Sequence, residues 1–396
     1  AENADSINNS RRNSNNNAVN NSIISSLLWR HKFKKLSRTL SVSTDFNWSE
    51  SMNDGFLYSL NKFYQNGAID YIDTTDQLNV RNSDAKGIST KIAYTEPLAK
   101  DFYMEISHQV AWNNNSNERL TFSKDNTGKY EDMIDTLSNA FVFNRLVNTP
   151  GLNFRLNKKQ YNISFGASVG FSQFVQKNLT ENSRTDYDFT NFFPRVSYTY
   201  KFKPSQNLRF NYNGSTTAPS LEQLQPIRVN TDPLNLYLGN PDLDQSFRHN
   251  FSLGYNSYNV LKEKNIWTNL SFNVVQNAFV QSSSVDASGK RTYQTVNTNG
   301  VYWLNFYSDY GFKMKNKIRL GFGPMANINR NIDFVNQVKN ITTVRNLGLR
   351  LSVGKYVENK YNFDFSPNFS WNRSTATVNS AANADYWQLE GWANAR

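Results

Sequence analysis

Residues Tyr161–Phe171 read YNISFGASVGF, with an aromatic or aliphatic side chain at every odd position and Asn, Ser or Gly at every even one. The same two-residue alternation runs through Leu40–Trp48, Leu347–Val353 and Tyr361–Trp371. In a β-strand, successive side chains point to opposite faces, so this period predicts strands with one apolar and one polar face. A helical repeat is not evident over any comparable length of the sequence.

Several of the predicted strands are unusually long. Ser138–Asn157, Arg291–Lys313 and Asn316–Phe334 each run for about twenty residues, whereas most strands in globular proteins have about 5–6. A tilted strand needs about 9–11 residues to cross a membrane and often continues beyond it. The length therefore favours an all-β, transmembrane antiparallel β-barrel, with lipid on the apolar face and the interior on the polar face. A soluble β-sandwich or β-helix is the alternative.

The composition excludes several other classes of protein. The 396-residue chain has no Cys, so it holds neither a disulfide framework nor a thiolate metal site. No apolar run exceeds four residues, whereas a membrane-spanning helix needs about 20. Aromatic residues make up 14% of the chain, far more than disordered proteins carry. A barrel explains how a chain with a mean hydropathy of −0.66 can still cross a membrane.

The connections between strands alternate between tight and long. Seven tight ones, rich in Lys or containing Pro, lie at Lys34–Ser37, Glu96–Asp101, Asn157–Gln160, Lys203–Asn207, Leu261–Asn265, Lys313–Lys317 and Tyr356–Lys360. Most of the others are predicted to be longer and polar, among them Glu50–Asp84, Leu179–Asp188 and Pro219–Gln245, although Asp286–Gly289 is itself tight. Short periplasmic turns and long extracellular loops are typical of bacterial outer-membrane barrels.

The number of strands predicts a partial barrel. Seven tight turns join fourteen strands, and Asp385–Arg396 adds a fifteenth. A complete bacterial barrel has an even number of strands and begins and ends in the periplasm. We therefore expect 1–396 to be one partial outer-membrane barrel that starts with an extracellular Asn- and Ser-rich loop at 1–20 and lacks at least one strand upstream. An error in one turn assignment is the alternative.

The most distinctive motif lies in the signature loop, residues 219–245, and just before it. Ala218–Pro226 reads APSLEQLQP, Asp232–Tyr237 reads DPLNLY and Gly239–Leu243 reads GNPDL. This order resembles the C-terminal half of TonB-dependent outer-membrane receptors, and in its extended form the Bacteroidetes-type outer-membrane β-barrel family with SusC-like architecture. Asp385-Tyr386-Trp387 is similar to a strand start in that family.

The resemblance implies a 22-stranded barrel with an N-terminal plug, which is not present in this chain. It implies import of an oligosaccharide, peptide or metal chelate, driven by the TonB inner-membrane complex through the missing N-terminal region. It also implies a SusD-like surface lipoprotein or other outer-membrane assembly subunits as partners. The alternative is a non-transporting barrel subunit of an outer-membrane assembly. The chain departs from the family pattern at Asp244–Gln245, where Pro-Glu is usual.

We expect the motif residues to shape the loop and not to contact a ligand. Proline fixes φ and donates no backbone hydrogen bond, so no central strand can pass through this stretch. The structural set comprises Ala218, Pro219, Ser220, Leu221, Leu224, Pro226, Gly239, Asn240, Pro241, Asp242 and Leu243. Ligand-binding residues would lie in the long loops, and the sequence assigns none of them.

The sequence predicts no catalytic residue, cofactor or metal site, and so no enzyme. His31, His108 and His249 lie on separate predicted strands without metal-ligand spacing, which favours ordinary lumen or interface positions. Ser246 is the only serine shortly before His249, and the two form no acyl-transfer motif.

The formal charge of +11 predicts contact with outer-membrane lipid and lipopolysaccharide. The basic residues are spread over strands and tight turns and form no stripe, so no nucleic-acid partner is expected. The many Trp and Tyr residues suit aromatic girdles at the membrane interfaces, or a lumen lining that stacks on a sugar or peptide.

Overall fold

A computed structural model describes residues 8–65, 67–224, 229–232, 234–287, 289–378, 380 and 383–396. Most of this chain is β-structure. The described residues also include a short helix, α1 (Leu221–Leu224), and a 3₁₀ turn at Asp135–Leu137. The strands are β1 Asn8–Lys32, β2 Thr39–Gln65, β3 Ala68–Ala99, β4 Phe102–Lys124, β5 Tyr130–Met133, β6 Asn139–Asn157, β7 Tyr161–Asn178, β8 Ser183–Lys203, β9 Gln206–Thr217, β10 Val229–Asp232, β11 Asn235–Leu238, β12 Ser246–Asn259, β13 Lys264–Gln276, β14 Ala278–Val285, β15 Arg291–Thr298, β16 Val301–Lys313, β17 Ile318–Val335, β18 Val338–Val357, β19 Tyr361–Ala376 and β20 Ala384–Ala395. Among the described residues, no helix is long and apolar enough to cross a membrane.

Fifteen of the strands form one antiparallel sheet in which each pairs with the next. Their order is β1-β2-β3-β4-β6-β7-β8-β9-β12-β13-β16-β17-β18-β19-β20. Within the described residues, β1 pairs only with β2 and β20 only with β19, so backbone pairing does not close the sheet. The prediction of an all-β antiparallel fold with fifteen strands seen is confirmed.

All seven predicted tight turns join neighbouring strands at one end of the sheet, the tight-turn end. Several reverse direction through a residue in the left-handed region, such as Ser37 at φ 66°, Asp101 at φ 67° and Asn359 at φ 57°. Short polar side chains tolerate this conformation better than bulky ones do. We call the opposite end of the sheet the loop end.

At the loop end, the strands run further than predicted. Glu50–Asp84, expected as a polar connection, continues β2 and β3, which pair down to Gln65 and Ala68. Residues 8–20, expected as loop, are the start of β1 and pair with β2, while residues 1–7 lie outside the described part. Leu179–Asp188 shortens to a connection of four residues, 179–182. The polar side chains of these stretches do not prevent strand formation, because the hydrogen bonds between strands are made by the backbone and do not require apolar side chains.

The predicted strand Arg291–Lys313 is two strands, because Asn299–Gly300 interrupts the β-structure between β15 and β16. Gly300 adopts φ 108°, and Asn277, between β13 and β14, adopts φ 50°. The β14–β15 hairpin bends away at this point, and its tip is the predicted tight turn at Asp286–Gly289.

The β14–β15 hairpin crosses the interior of the sheet. It leaves the sheet at β13 and β16, the tenth and eleventh strands in the order above, yet Lys290 Nζ lies 5.4 Å from the ring centroid of Phe63 on the second strand, β2. Along the way β14 pairs in parallel with β17, and β15 pairs in parallel with β11 of the signature loop. These contacts require the sheet to curl around the hairpin. The curled sheet therefore has an inner and an outer face.

The apolar face of the strands points outward, as the alternation predicts. On β7, Phe165 and Phe171 are 45% and 49% exposed, whereas Gly170 and Ser172 on the other face are buried. Apolar side chains on β19 are similarly exposed. A continuous exposed apolar surface of this kind marks contact with lipid or a partner.

One ion cluster holds two turns of the tight-turn end together. The Glu96 carboxylate accepts hydrogen bonds from Arg38 Nε at 2.7 Å, Lys35 Nζ at 2.6 Å and the Tyr94 hydroxyl at 2.6 Å. The Arg38 bond, followed by those from Lys35 and Tyr94, lowers the pKa of Glu96 far below its ordinary value of 4.5. The charged carboxylate therefore stabilises the junction of the β1–β2 and β3–β4 turns.

We expect Glu96→Gln to lower the thermal stability of the detergent-solubilised protein at neutral pH. Because the pKa of Glu96 is depressed on folding, its contribution is fully present above pH 4.5, the unfolded value, and is lost as the pH falls towards the folded value. The gap in Tm between wild type and E96Q should narrow steadily below pH 4.5. Glu263→Gln, which removes a carboxylate that is paired with Lys313 at 2.6 Å, is the control and should change Tm less. An E96Q gap equal at pH 7 and about pH 3 would contradict the assignment.

Candidate functional site

A cavity of about 450 Å³ lies inside the curled sheet near the loop end, and we call it the lumenal cavity. One wall comes from β3, β4 and β6, and the other from the signature loop and the β14–β15 hairpin. Its lining residues are Arg81, Asn117, Arg119, Asn139, Ser220, Gln223, Tyr237, Leu238, Gly239, Gln281, Tyr293, Gln294 and Thr295. The volume falls within the usual range for small-molecule sites, about 300–1,000 Å³.

Two arginines dominate the sheet wall of the lumenal cavity. Arg81 on β3 and Arg119 on β4 are directly opposite each other in the antiparallel register, and Asn139 on β6 is opposite Arg119. Arg119 is 6% exposed, whereas Arg81 is exposed to the cavity. A neighbouring cavity of about 240 Å³ is lined by both arginines and by Arg12 of β1. Neither cavity has an Asp or Glu among its described lining residues, and the exposed Arg81 offers a positive charge to an anion in this wall.

The opposite wall presents an aromatic surface. Tyr237 on β11 is paired with Tyr293 on β15 in the parallel register, and their rings stack with centroids 5.1 Å apart and planes at 20°. Tyr237 is 44% exposed, which leaves part of its ring accessible from the cavity. An accessible aromatic face beside a positive wall can hold a ligand that has both a flat face and a negative charge.

The signature loop is fastened to the β14–β15 hairpin by side-chain amides. Gln294 Nε2 donates to the Gly239 carbonyl at 3.0 Å, and Asn240 Nδ2 donates to the Thr295 carbonyl at 2.9 Å. Asn297 uses both ends of its amide on Asp244, since it accepts from the backbone N–H at 2.8 Å and donates to the carbonyl at 3.1 Å. The cavity wall is therefore one connected unit of loop and hairpin.

A small apolar core lies beneath the signature loop. Leu224 and Leu243 are 5% and 4% exposed, and Phe141 on β6 is 1% exposed. A small pocket of about 90 Å³ is lined by Phe141, Leu224, Pro241 and Tyr187, which places these residues together. Burial, reinforced by the Asp242 carboxylate, raises the pKa of Tyr187.

The structure places the predicted motif residues as follows. Ser220 immediately precedes α1, where its N–H donates to Gln223 Oε1 at 2.9 Å and its hydroxyl accepts from the Gln223 N–H at 3.3 Å. Asn240 Oδ1 accepts from the Asp242 N–H at 3.0 Å and closes a turn. Ala218 is half-buried and Pro219 buried just before α1, Leu221 is the first residue of α1, and Pro226 lies outside the described residues. The structure brings Ser220 and Gly239 to the cavity wall, although the sequence assigned neither to a ligand site.

The three histidines lie on separate strands, as predicted. His249 accepts from or donates to the Tyr212 hydroxyl through Nδ1 at 3.0 Å and stacks on the Tyr212 ring. Ser246 and His249 are three residues apart on β12, so their side chains point to opposite faces of the strand. His31 packs edge-on against Phe33, with ring centroids 4.6 Å apart. Among the described residues, no group of three or more His, Asp or Glu is placed to hold a metal ion.

The model of the outer membrane protein beta-barrel family matches residues 31–395 of this chain. The chain belongs to this family. The predicted outer-membrane location and transmembrane strands are thereby confirmed, and the outward apolar face is the surface that meets lipid. No curated protein sequence matches the chain.

Several solved outer-membrane proteins are similar to this barrel in fold. The alcaligin outer-membrane receptor FauA from Bordetella pertussis is 10% identical with a TM-score of 0.40, over 98% of this chain and 68% of that one. The ferric citrate transporter FecA is 8% identical with a TM-score of 0.42, over 91% and 62%. A double mutant of the hemophore receptor HasR from Serratia marcescens is 9% identical with a TM-score of 0.41, over 96% and 71%. Likenesses this distant say nothing about what the present barrel binds.

Proposed function

We propose that the barrel belongs to a TonB-dependent transporter that imports a nutrient across the outer membrane. In this proposal the tight-turn end faces the periplasm, and a parent barrel of 22 strands holds a plug that contacts the TonB complex. The observation that supports it is the lumenal cavity, which lies inside the barrel near the loop end, on the path of a solute entering from outside. The motif in the signature loop adds the Bacteroidetes-type, SusC-like relationship.

The geometry favours a selective binding site over an open pore. The signature loop and the β14–β15 hairpin occupy the interior and are tied together by Gln294, Asn240 and Asn297. A solute that enters at the loop end therefore meets a lined cavity. The nutrient in this proposal is an oligosaccharide, a peptide or a metal chelate.

A second function is supported by the length of the first strands. β2 and β3 have 27 and 32 residues, whereas about 9–11 suffice to cross the hydrocarbon layer. The excess forms a long ribbon beyond the membrane that can serve as a platform. The alternative is therefore a non-transporting barrel subunit with a surface lipoprotein partner of the SusD-like kind.

Uptake in the bacterium that encodes the barrel tests the proposal. We expect deletion of the gene to abolish growth on one of the three nutrient classes and complementation to restore it. We further expect the restored uptake to stop when the proton-motive force is dissipated, since TonB-dependent import draws on it. Unchanged uptake of every class would overturn the transporter proposal, and a surface lipoprotein that copurifies at a fixed ratio would then establish the alternative.

A further inference from the structure

The paired arginines indicate the charge of the ligand. Side chains directly opposite each other on one face of an antiparallel pair have Cβ atoms about 4.5–5.5 Å apart, and like charges in this position are unfavourable. Arg81 and Arg119 occupy such a position. Arg81 makes no side-chain hydrogen bond or ion pair within the described residues, and it is exposed to the cavity. An anion that binds Arg81 pairs this exposed guanidinium and gains charge-assisted hydrogen bonds.

The remaining lining indicates the rest of the ligand. Five of the lining side chains are amides, Asn117, Asn139, Gln223, Gln281 and Gln294. An amide side chain carries both donors and an acceptor, which suits the hydroxyl groups of a sugar. The accessible face of Tyr237, stacked on Tyr293, provides a flat surface for a sugar ring. A charged group, several hydroxyls and a ring face together describe an acidic saccharide.

We propose that the lumenal cavity binds an acidic oligosaccharide, with a carboxylate or sulfate group held by Arg81 and a sugar ring against Tyr237. This inference rests on the proposed import function and specifies its nutrient class. The planar guanidinium of Arg81 matches either anion with two parallel hydrogen bonds. Arg119, buried directly opposite it on β4, lines the same wall.

Binding to the full-length protein purified in detergent tests the proposal. The probes are trigalacturonate and its methyl ester, which share a skeleton and differ in charge, and a sulfated galactan trisaccharide with its desulfated form. By calorimetry we expect each acidic probe to bind about tenfold or more tightly than its neutral counterpart, since it adds charge-assisted hydrogen bonds. The preference should shrink as the ionic strength rises.

Variants locate the preference within the barrel. Arg81→Gln should abolish the preference for the acidic probe without lowering Tm. Tyr237→Ala should weaken the binding of both members of each pair. Arg350→Gln, which alters an exposed arginine in a different cavity, between β13 and β20, is the matched control and should bind like wild type.

Equal affinities within both pairs, a preference that survives in R81Q, or no binding of any acidic saccharide would overturn the inference. Arg81-dependent binding of an anionic metal chelate or an acidic peptide, with no saccharide bound, would also overturn it and assign the cavity to another class. In each case, energised uptake of some nutrient by the bacterium would leave the transporter proposal standing. Tight acidic-saccharide binding without uptake would overturn the transporter alone.

Discussion

Replacing Phe141 by alanine should destabilise the barrel by about 3–5 kcal/mol and loosen the signature loop. The Phe141 side chain is 1% exposed and lines a small pocket together with Leu224, Pro241 and Tyr187. The backbone of β6 is held on both sides by pairing with β4 and β7, so it cannot move in to fill the space left by the ring. The loop would lose the apolar surface against which Leu224 and Pro241 rest.

Two measurements check this expectation. Urea unfolding in detergent reports the loss of stability, and limited proteolysis between residues 219 and 245 reports the loosened loop. Phe165→Ala on the neighbouring strand β7 is the matched control, because that ring is 45% exposed on the lipid face and its removal leaves no internal cavity. A loop as protected in F141A as in wild type, or equal losses in the two variants, would contradict the packing described here.

The parts of the fold that could be predicted from the sequence are those set by residues close together in the chain. Alternation such as that of Tyr161–Phe171 reports directly that a strand has two different faces. The tight turns carry their own short polar residues at left-handed positions, as at Ser37 and Asp101. The loop-end extension of β1 could not be predicted, because the Asn- and Ser-rich stretch that forms it has no apolar face and reads as loop.

The candidate site depends on contacts that the sequence does not show. Arg81 and Arg119 each look like an ordinary polar-face residue, and only the register of β3 against β4 places them opposite each other. The sequence shows the motif at Gly239 and Asn240, yet the partners of this motif on β15 belong to a stretch that reads as part of one long strand. A motif identifies one side of a tertiary contact, and the fold supplies the other.

Gly166→Ala is the smallest change from which we expect a large effect. A methyl group on Gly166 would overlap the Leu152 carbonyl oxygen and lie 2.7 Å from Cα of Asn153, the residue paired with Gly166 on β6. These atoms belong to the backbone, so no side-chain rotation can relieve the overlap. We expect β6 and β7 to move apart locally, which lowers the free energy of unfolding by about 1–3 kcal/mol. We also expect a smaller fraction of the protein to reach the folded form, which migrates differently on a gel before and after heating.

Gly254→Ala on β12 separates crowding from the general effect of removing a glycine. Gly254 is also in the middle of a strand, but the nearest atoms to its added methyl group are 3.9 Å away, an ordinary contact. Its urea midpoint should stay the same or rise slightly, since alanine restricts the unfolded chain more than glycine does. If G166A unfolded at the same urea concentration as G254A, the β6 and β7 backbones would have to lie further apart than described. The alternation of Tyr161–Phe171 would then still predict a strand, but its close pairing with β6 would be wrong.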